Sequence, residues 1–334
     1  MEIDISKKYR PLFKLLDKNY LPEVDTVIMT GGRASGKSFV VALLSNIGLV
    51  EYGWSTLYTR YTNMSIIDSI KPEVSDKIEM LNYQDVVSDT QKQIECKGNR
   101  ISFKGIKTGS KIQTANLKSL SGFNCFVVDE AEELPDYETF KKVFYSIRSV
   151  EKRNLNILIL NPTTKDHWIF HEFFEKKGLE GGENCVIDNV MYIHTSYKDV
   201  NREFIPKNII RDYEKLKTDN PSKYNNIVEG GWVQDPEGIL IPKNTIKFRN
   251  MSEIDIKDVV FTLAVGDPAD TGGDKYSMPF IWCVQLDGEL SFWIKDWIHN
   301  TDGIEANNER ILLKLKEHLI EQIFIESNGI DLIS

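Results

Sequence analysis

The residues best suited to chemistry in this chain of 334 residues lie in one stretch, Thr26 to Ser38, TVIMTGGRASGKS. Within it, Gly31-Gly32-Arg33-Ala34-Ser35-Gly36-Lys37-Ser38 satisfies every fixed position of the phosphate-loop pattern G-x-x-x-x-G-K-[ST]. Its glycines let successive backbone N–H groups turn toward an anion, and the following helix aims its positive N-terminus at the same place. Lys37 is expected to reach the β- and γ-phosphates of a nucleoside triphosphate, and the Ser38 hydroxyl to ligate Mg²⁺. Arg33 could bring a positive charge in cis to the transferring phosphoryl group, or equally pair with a nearby acid.

A phosphate loop needs one acid for the metal and another for the attacking water. Asp129 and Glu130 end the most apolar run of the chain, Phe123 to Val128. Asp129 is read as holding Mg²⁺ through water, and Glu130 as the general base. The plain alternative is a helix-start acid pair. The next apolar run, Leu155 to Leu160, ends in Asn161-Pro162-Thr163-Thr164. This fits either a γ-phosphate sensor or a simple strand-to-loop turn.

A second carboxylate pair lies farther on, Asp267 and Glu326, each at the end of a strand-like run. If the intervening helix crosses over so that these strands adjoin, both acids meet at one sheet edge. Paired acids there suit two Mg²⁺ or Mn²⁺ ions ~3.5–4 Å apart, clamping a phosphodiester. Asp270 and Asp274 lie close enough in sequence to assist. A turn at Gly-Asp-Pro and a strand cap at Glu326 are the alternatives.

The elements that must position these groups follow from apolar patterning. The phosphate loop sits between the short strand Val27–Met29 and the run Phe39 to Leu44, which suits a buried helix. Ser55 to Tyr61 reads as a strand containing Arg60, and residues 63–71 as helical. Ile94–Cys96 and Ile101–Phe103 read as a hairpin turning at Gly98-Asn99. Continuous apolar strands alternating with helices predict a parallel sheet covered on both faces, a doubly wound α/β domain. After the Pro/Gly-containing stretch near 235–257 the pattern changes to strand, hairpin (Phe280–Leu286 and Leu290–Trp297), helix (304–319) and strand (Ile323–Ile325). This predicts two domains, 1–235 and 258–334, joined by a linker over 236–257.

Composition narrows the classes. A hydrophobic content of 41% and a charged content of 27% are those of a soluble globular protein. The net charge of −9 offers no global basic signature, so contacts with nucleic acid must be local. Lys104, Lys107, Lys111 and Lys118 form one such cluster, which reads equally as a solvated face. The 4 cysteines are scattered without a C-x-x-C, and Cys125 and Cys283 read as core residues in a reducing compartment. His167 and His171 read as packing rather than metal-binding. No apolar run reaches the ~20 residues that span a bilayer, and no secretory pattern opens the chain.

The segments GGRASGKS, VVDEAEEL and ILNPTTKDHWIFHEFF, followed by HTSYKDVNREFIP and GGWVQDPEGIL, together resemble the large terminase subunit of tailed bacteriophages. The resemblance implies a RecA/ASCE-like P-loop ATPase domain followed by part of a ribonuclease H-like α/β nuclease domain. It implies an ATP-driven motor that packages double-stranded DNA into a procapsid and cuts it, working with a portal protein and a small terminase subunit in the host cell cytoplasm, without a membrane. By residue, it places Lys37 and Ser38 as the Walker A pair, Asp129 as the Walker B metal residue and Glu130 as the catalytic glutamate. Asn161, Thr163 or Thr164 falls on the coupling motif, and Asp267 and Glu326 on the first two nuclease carboxylates. A homo-oligomeric ring on the procapsid would supply an arginine in trans, with Arg148 and Arg153 as candidates. The isolated chain is then expected to be a monomer and a weak ATPase. The third nuclease acid of that family has no match here, since Asp331 is too close to Glu326, so the nuclease domain reads as truncated and at most weakly active. The rival readings are a P-loop helicase or another DNA translocase lacking a nuclease. A GTPase switch would need an N-K-x-D motif, which the chain lacks.

Overall fold

The computed structural model describes residues 3–62, 66–108, 113–114, 122–147, 149–234, 246–248, 250, 254–267, 275–286, 288–302 and 304–325. The chain divides into two compact units, Met1–Lys243 and Asn244–Ser334.

The first unit carries strands β1 (Thr26–Gly31), β2 (Thr56–Thr62), β3 (Ser88–Asp89), β4 (Gln93–Cys96), β5 (Asn99–Thr108), β6 (Gln113–Thr114), β7 (Cys125–Val128), β8 (Leu155–Leu160), β9 (Cys185–Ile187) and β10 (Val190–Thr195). Its helices are α1 (Arg10–Lys14), α2 (Lys37–Glu51), α3 (Lys71–Met80), α4 (Tyr137–Phe144), α5 (Lys207–Asp219) and α6 (Pro221–Tyr224). The strands join in the order β3-β4-β5-β2-β7-β8-β1-β10-β9, with β6 beside β5. The six central strands, from β5 to β10 in that order, pair in parallel. The α/β fold with a mainly parallel sheet is thus the one expected.

Every residue of β1, β7 and β8 is buried, which accounts for their unbroken apolar sequences. Successive side chains point to opposite faces of a strand. Accordingly Val27, Met29, Val127, Ile157 and Ile159 join α2 and the N-terminal Leu12 and Leu15 in one core. Ile28, Phe126, Val128, Leu158 and Leu160 join Phe140, Phe170, Phe174 and Trp232 in the other.

Two local expectations shift. The hairpin between β4 and β5 turns at Lys97-Gly98, not Gly98-Asn99, because Cys96 pairs directly with Asn99. Both loop residues then need positive φ, and Lys97 and Gly98 adopt 48° and 82°. The helical stretch expected over 63–71 is a π-helical turn at Ile66–Ile70 that runs into α3.

The second unit has strands β11 (Val259–Gly266), β12 (Tyr276–Leu286), β13 (Glu289–Asn300) and β14 (Gln322–Ile325), with helix α7 (Ile304–Glu317) between the last two. Its sheet runs β13-β12-β11-β14, and only β11 and β14 are parallel. The helix therefore makes the crossover that the carboxylate pairing required. Ala264, Tyr276, Met278, Phe280 and Ile298 form its core, backed by Ile311 and Leu315 of α7.

Candidate active site

The phosphate loop leaves the end of β1 and enters α2 through Gly36, whose φ of 81° is left-handed and suits glycine. Gly32 is needed for a different reason. A Cβ there would sit 1.8 Å from the Val228 carbonyl oxygen, so only glycine lets the π-helical turn Asn225–Glu229 press against the loop. The Arg33 N–H donates to Ile227 O (2.9 Å) from the same side, while the Arg33 side chain is exposed.

Lys37 is only 7% exposed. Its ammonium faces four acceptors: Gly31 O and Gly32 O at 2.9 Å, and Ser35 Oγ and Asn161 Oδ1 at 3.1 Å. Three protons cannot serve four acceptors at once, so the ammonium's donors are all engaged and the four acceptors share them. Burial pulls its pKa down to about 8, opposed by the nearby Glu132 and Asp129 carboxylates.

Sheet order brings the acids to this lysine. β8 lies between β1 and β7, so Asn161, just past β8, stands between the loop and the acids that follow β7. Asp129 is 8% exposed, and its Oδ1 accepts from Ser38 Oγ at 3.2 Å. The Arg60 guanidinium, on neighbouring β2, lies 3.6 Å from Asp129 Oδ2 and forms a tight ion pair with Glu130. Burial raises the Asp129 pKa, with Arg60 acting against it. Glu130 takes left-handed backbone geometry (φ 51°), uncommon for a non-glycine residue and a sign of local constraint.

Three contributors went unread in the sequence. Arg60 was visible as a charge near the end of an apolar strand, but only sheet order reveals its two partners. Glu132 accepts from both Asn161 N (3.2 Å) and Asn161 Nδ2 (3.3 Å), and burial pushes its pKa up to about 7. This fixes the Asn161 side chain with its amide toward Glu132 and its oxygen toward Lys37. Asn226 Nδ2 donates to Pro162 O (2.7 Å) and Gly231 O (2.9 Å), tying the turn behind the phosphate loop to the segment after β8. Thr163 joins this tie through its backbone, its carbonyl accepting from Val233 N at 2.9 Å.

Ser38 and Asp129 offer adjacent hard oxygens and no nitrogen or sulfur, a donor set that fits Mg²⁺. In the second unit, Gly266 pairs with Ile325, each directly preceding an acid. Asp267 is exposed and bridges Ser277 through backbone bonds of 2.8 and 3.1 Å. Glu326, Asp270, Asp274 and Asp331 lie outside the described residues, as do Arg148, Lys111 and Lys118.

Other candidates have structural partners. Arg153 donates to the carbonyls of Leu21 (2.9 Å), Val24 (3.0 Å) and Lys18 (3.2 Å), so its guanidinium is engaged by backbone carbonyls of its own chain. His167 Nε2 lies 3.0 Å from Glu132 O, and His171 pairs with Glu175 at 2.5 Å. Asp296, Glu317 and His318 converge within 4.8 Å, but Lys314 already bridges the two carboxylates at 2.5 and 2.9 Å.

Comparison with known proteins agrees with this architecture. The family model described as phage terminase large subunit matches residues 23–231. The large terminase of a thermophilic bacteriophage, solved in complex with ADP, superposes with a TM-score of 0.53 at 14% identity, covering 98% of this chain and 78% of that one. The HK97 bacteriophage large terminase gives 0.50 at 13% identity, covering 98% and 70%. At such identities the likeness is one of fold. No curated protein matches the sequence. With the family match spanning the phosphate loop, the strand β7 that leads into Asp129 and Glu130, the strand β8 that leads into Asn161, and the turn behind the loop, the chain belongs to the phage terminase large subunit family, the ATPase motors of phage DNA packaging.

Proposed function

We propose that the first unit hydrolyses ATP in a Mg²⁺-dependent reaction at Lys37, Ser38, Asp129 and Glu130, and that this drives translocation of double-stranded DNA. The observation that carries this is the convergence of Lys37, the Ser38–Asp129 pair, the Arg60–Glu130 pair and Asn161 at the ends of adjacent strands. The ATP phosphates lie against the loop N–H groups and the N-terminus of α2, where the helix dipole favours negative charge. Lys37 exchanges a loop or Asn161 acceptor for a phosphate oxygen. Ser38 and Asp129 would hold Mg²⁺, which when bound neutralises phosphate charge.

Glu130 takes a proton from the attacking water, whose oxygen bonds to the γ-phosphorus as the bond to the β–γ bridging oxygen breaks. Asn161, shared between Lys37 and Glu132, is placed to respond when the γ-phosphate departs. Arg33 is assigned a charge-stabilising role in cis, and its exposure leaves it free to move.

The second unit is assigned a metal-dependent endonuclease function at Asp267 and Glu326, with Mg²⁺ or Mn²⁺. The supporting feature is the parallel β11–β14 pairing that aligns the residues preceding the two acids. The partners proposed are double-stranded DNA, a portal protein, a small terminase subunit and further copies of this chain in a ring. The test is phosphate release from Mg·ATP by the chain and its variants. Wild-type turnover that disappears in Lys37→Ala supports the assignment, and equal turnover in both overturns it.

A further inference from the structure

The first turn of the chain, far in sequence from the phosphate loop, makes a direct contact with it. Tyr9 is 1% exposed, and its hydroxyl lies 2.8 Å from Ser35 O and 2.7 Å from Thr195 Oγ1. A carbonyl can only accept, so the single phenolic proton goes to Ser35 O, and Thr195 is the donor in the second bond. Burial raises the Tyr9 pKa, so the hydroxyl stays protonated and remains a donor. The turn is fixed from outside as well. Lys8 pairs with Asp199 at 2.9 Å, and Asp199 in turn accepts from Ser196 N at 2.9 Å.

The consequence lies in the geometry of one peptide. In a trans peptide the C=O and the following N–H point in opposite directions. With Ser35 O held toward Tyr9, the Gly36 N–H must point the opposite way, away from Tyr9. Among the described residues none accepts from Gly36 N–H, whereas the Arg33 N–H is engaged by Ile227 O. We infer that Tyr9 is a positioning residue for the phosphate cradle, setting the Ser35–Gly36 peptide plane so that the Gly36 N–H is directed at a bound phosphate. The inference rests on the reading of Gly31–Ser38 as the ATP phosphate loop. The N-terminal turn then contributes to the nucleotide site through the backbone of the loop.

The test uses the full chain and Mg·ADP as the probe, with affinity from calorimetry and KM and kcat for ATP measured alongside. Tyr9→Phe keeps the ring and removes only the donor. It should weaken ADP binding and raise KM by about three- to tenfold, the value of one hydrogen bond, while kcat at saturation stays within about twofold. Thr195→Val removes the other partner but leaves the Tyr9–Ser35 bond, so its effect on ADP affinity should be under about twofold. Wild-type affinity in Tyr9→Phe would overturn the inference. So would equal losses in the two variants, or a fall in kcat with KM unchanged. A Tyr9→Phe chain that does not fold, as judged by circular dichroism, would also overturn it, because the hydroxyl would then serve the fold and not the cradle. Failure of the wild-type chain to bind ADP is a separate outcome, and it overturns the ATP reading and this inference together.

Discussion

Asp129 and Asp267 each follow the last residue of a strand in parallel pairing, yet their surroundings are opposite. Asp129 is 8% exposed, bonded to Ser38 and faced by Arg60, and it sits beside a buried lysine. Asp267 is exposed, and it is held through the backbone bonds to Ser277. Among the described residues no cation pairs with its side chain. A carboxylate enclosed among fixed partners of both signs is held in one geometry, and its charge acts through a low effective dielectric. One in water is screened and free to turn. The same strand-end position therefore yields a preorganised site in one unit and, in the other, an acid that further ligands must organise.

The comparison breaks most clearly with paired variants. Lys37→Ala should lower Mg²⁺-dependent ATP turnover by at least about a hundredfold, while leaving any Mn²⁺-dependent plasmid nicking unchanged. Asp267→Ala should do the reverse. Loss of both activities in either variant would show that the sites are not independent. Glu130→Gln should cut turnover by roughly 10²–10⁴ with ATP still bound, because an amide cannot take the proton. Single-turnover phosphate release read beside a binding isotherm separates the two effects, and normal turnover would move the base to another acid, Glu132 first.

Stability sharpens the contrast. Arg60→Met leaves Asp129 and Glu130 as neighbouring acids without their shared cation, and should cost about 1–3 kcal/mol in urea unfolding. Asp267→Ala should change stability by less than about 0.5 kcal/mol. Equal costs would mean that the two acids are equally embedded.

The smallest expected effect concerns pH. The pKa of Lys37 is held at about 8, below its ordinary 10.5, by burial. The folded chain therefore gives up this proton before the unfolded chain does, so the cost of burying Lys37 is relieved as pH rises from about 8 toward 10.5. Phosphate attraction moves the other way. ADP affinity should fall above about pH 8, by at most tenfold per pH unit, since one proton is involved. A flat affinity between pH 7 and about pH 9 would place the ammonium away from the phosphates.

The phosphate loop, the acid pair at Asp129-Glu130, the polar end of β8 and the parallel-sheet class were legible in the sequence because each is local. A loop that cradles phosphate needs fixed glycines and a lysine a few residues apart, and a strand buried on both faces must be apolar throughout. The crossover of α7 could be posed only as a condition, and the pairing of β11 with β14 met it. What the tertiary structure alone decided is which distant residues share a site. Arg60 meets Asp129 and Glu130 because β2 lies beside β7, Asn161 meets Lys37 because β8 lies beside β1, and Arg153 is enclosed by carbonyls far from it in sequence. Tyr9 reaches Ser35 and Thr195 across 26 and 186 residues. Sequence spacing carries no signal for such contacts. They follow from the order in which strands pair, and that order is set by packing the whole core at once.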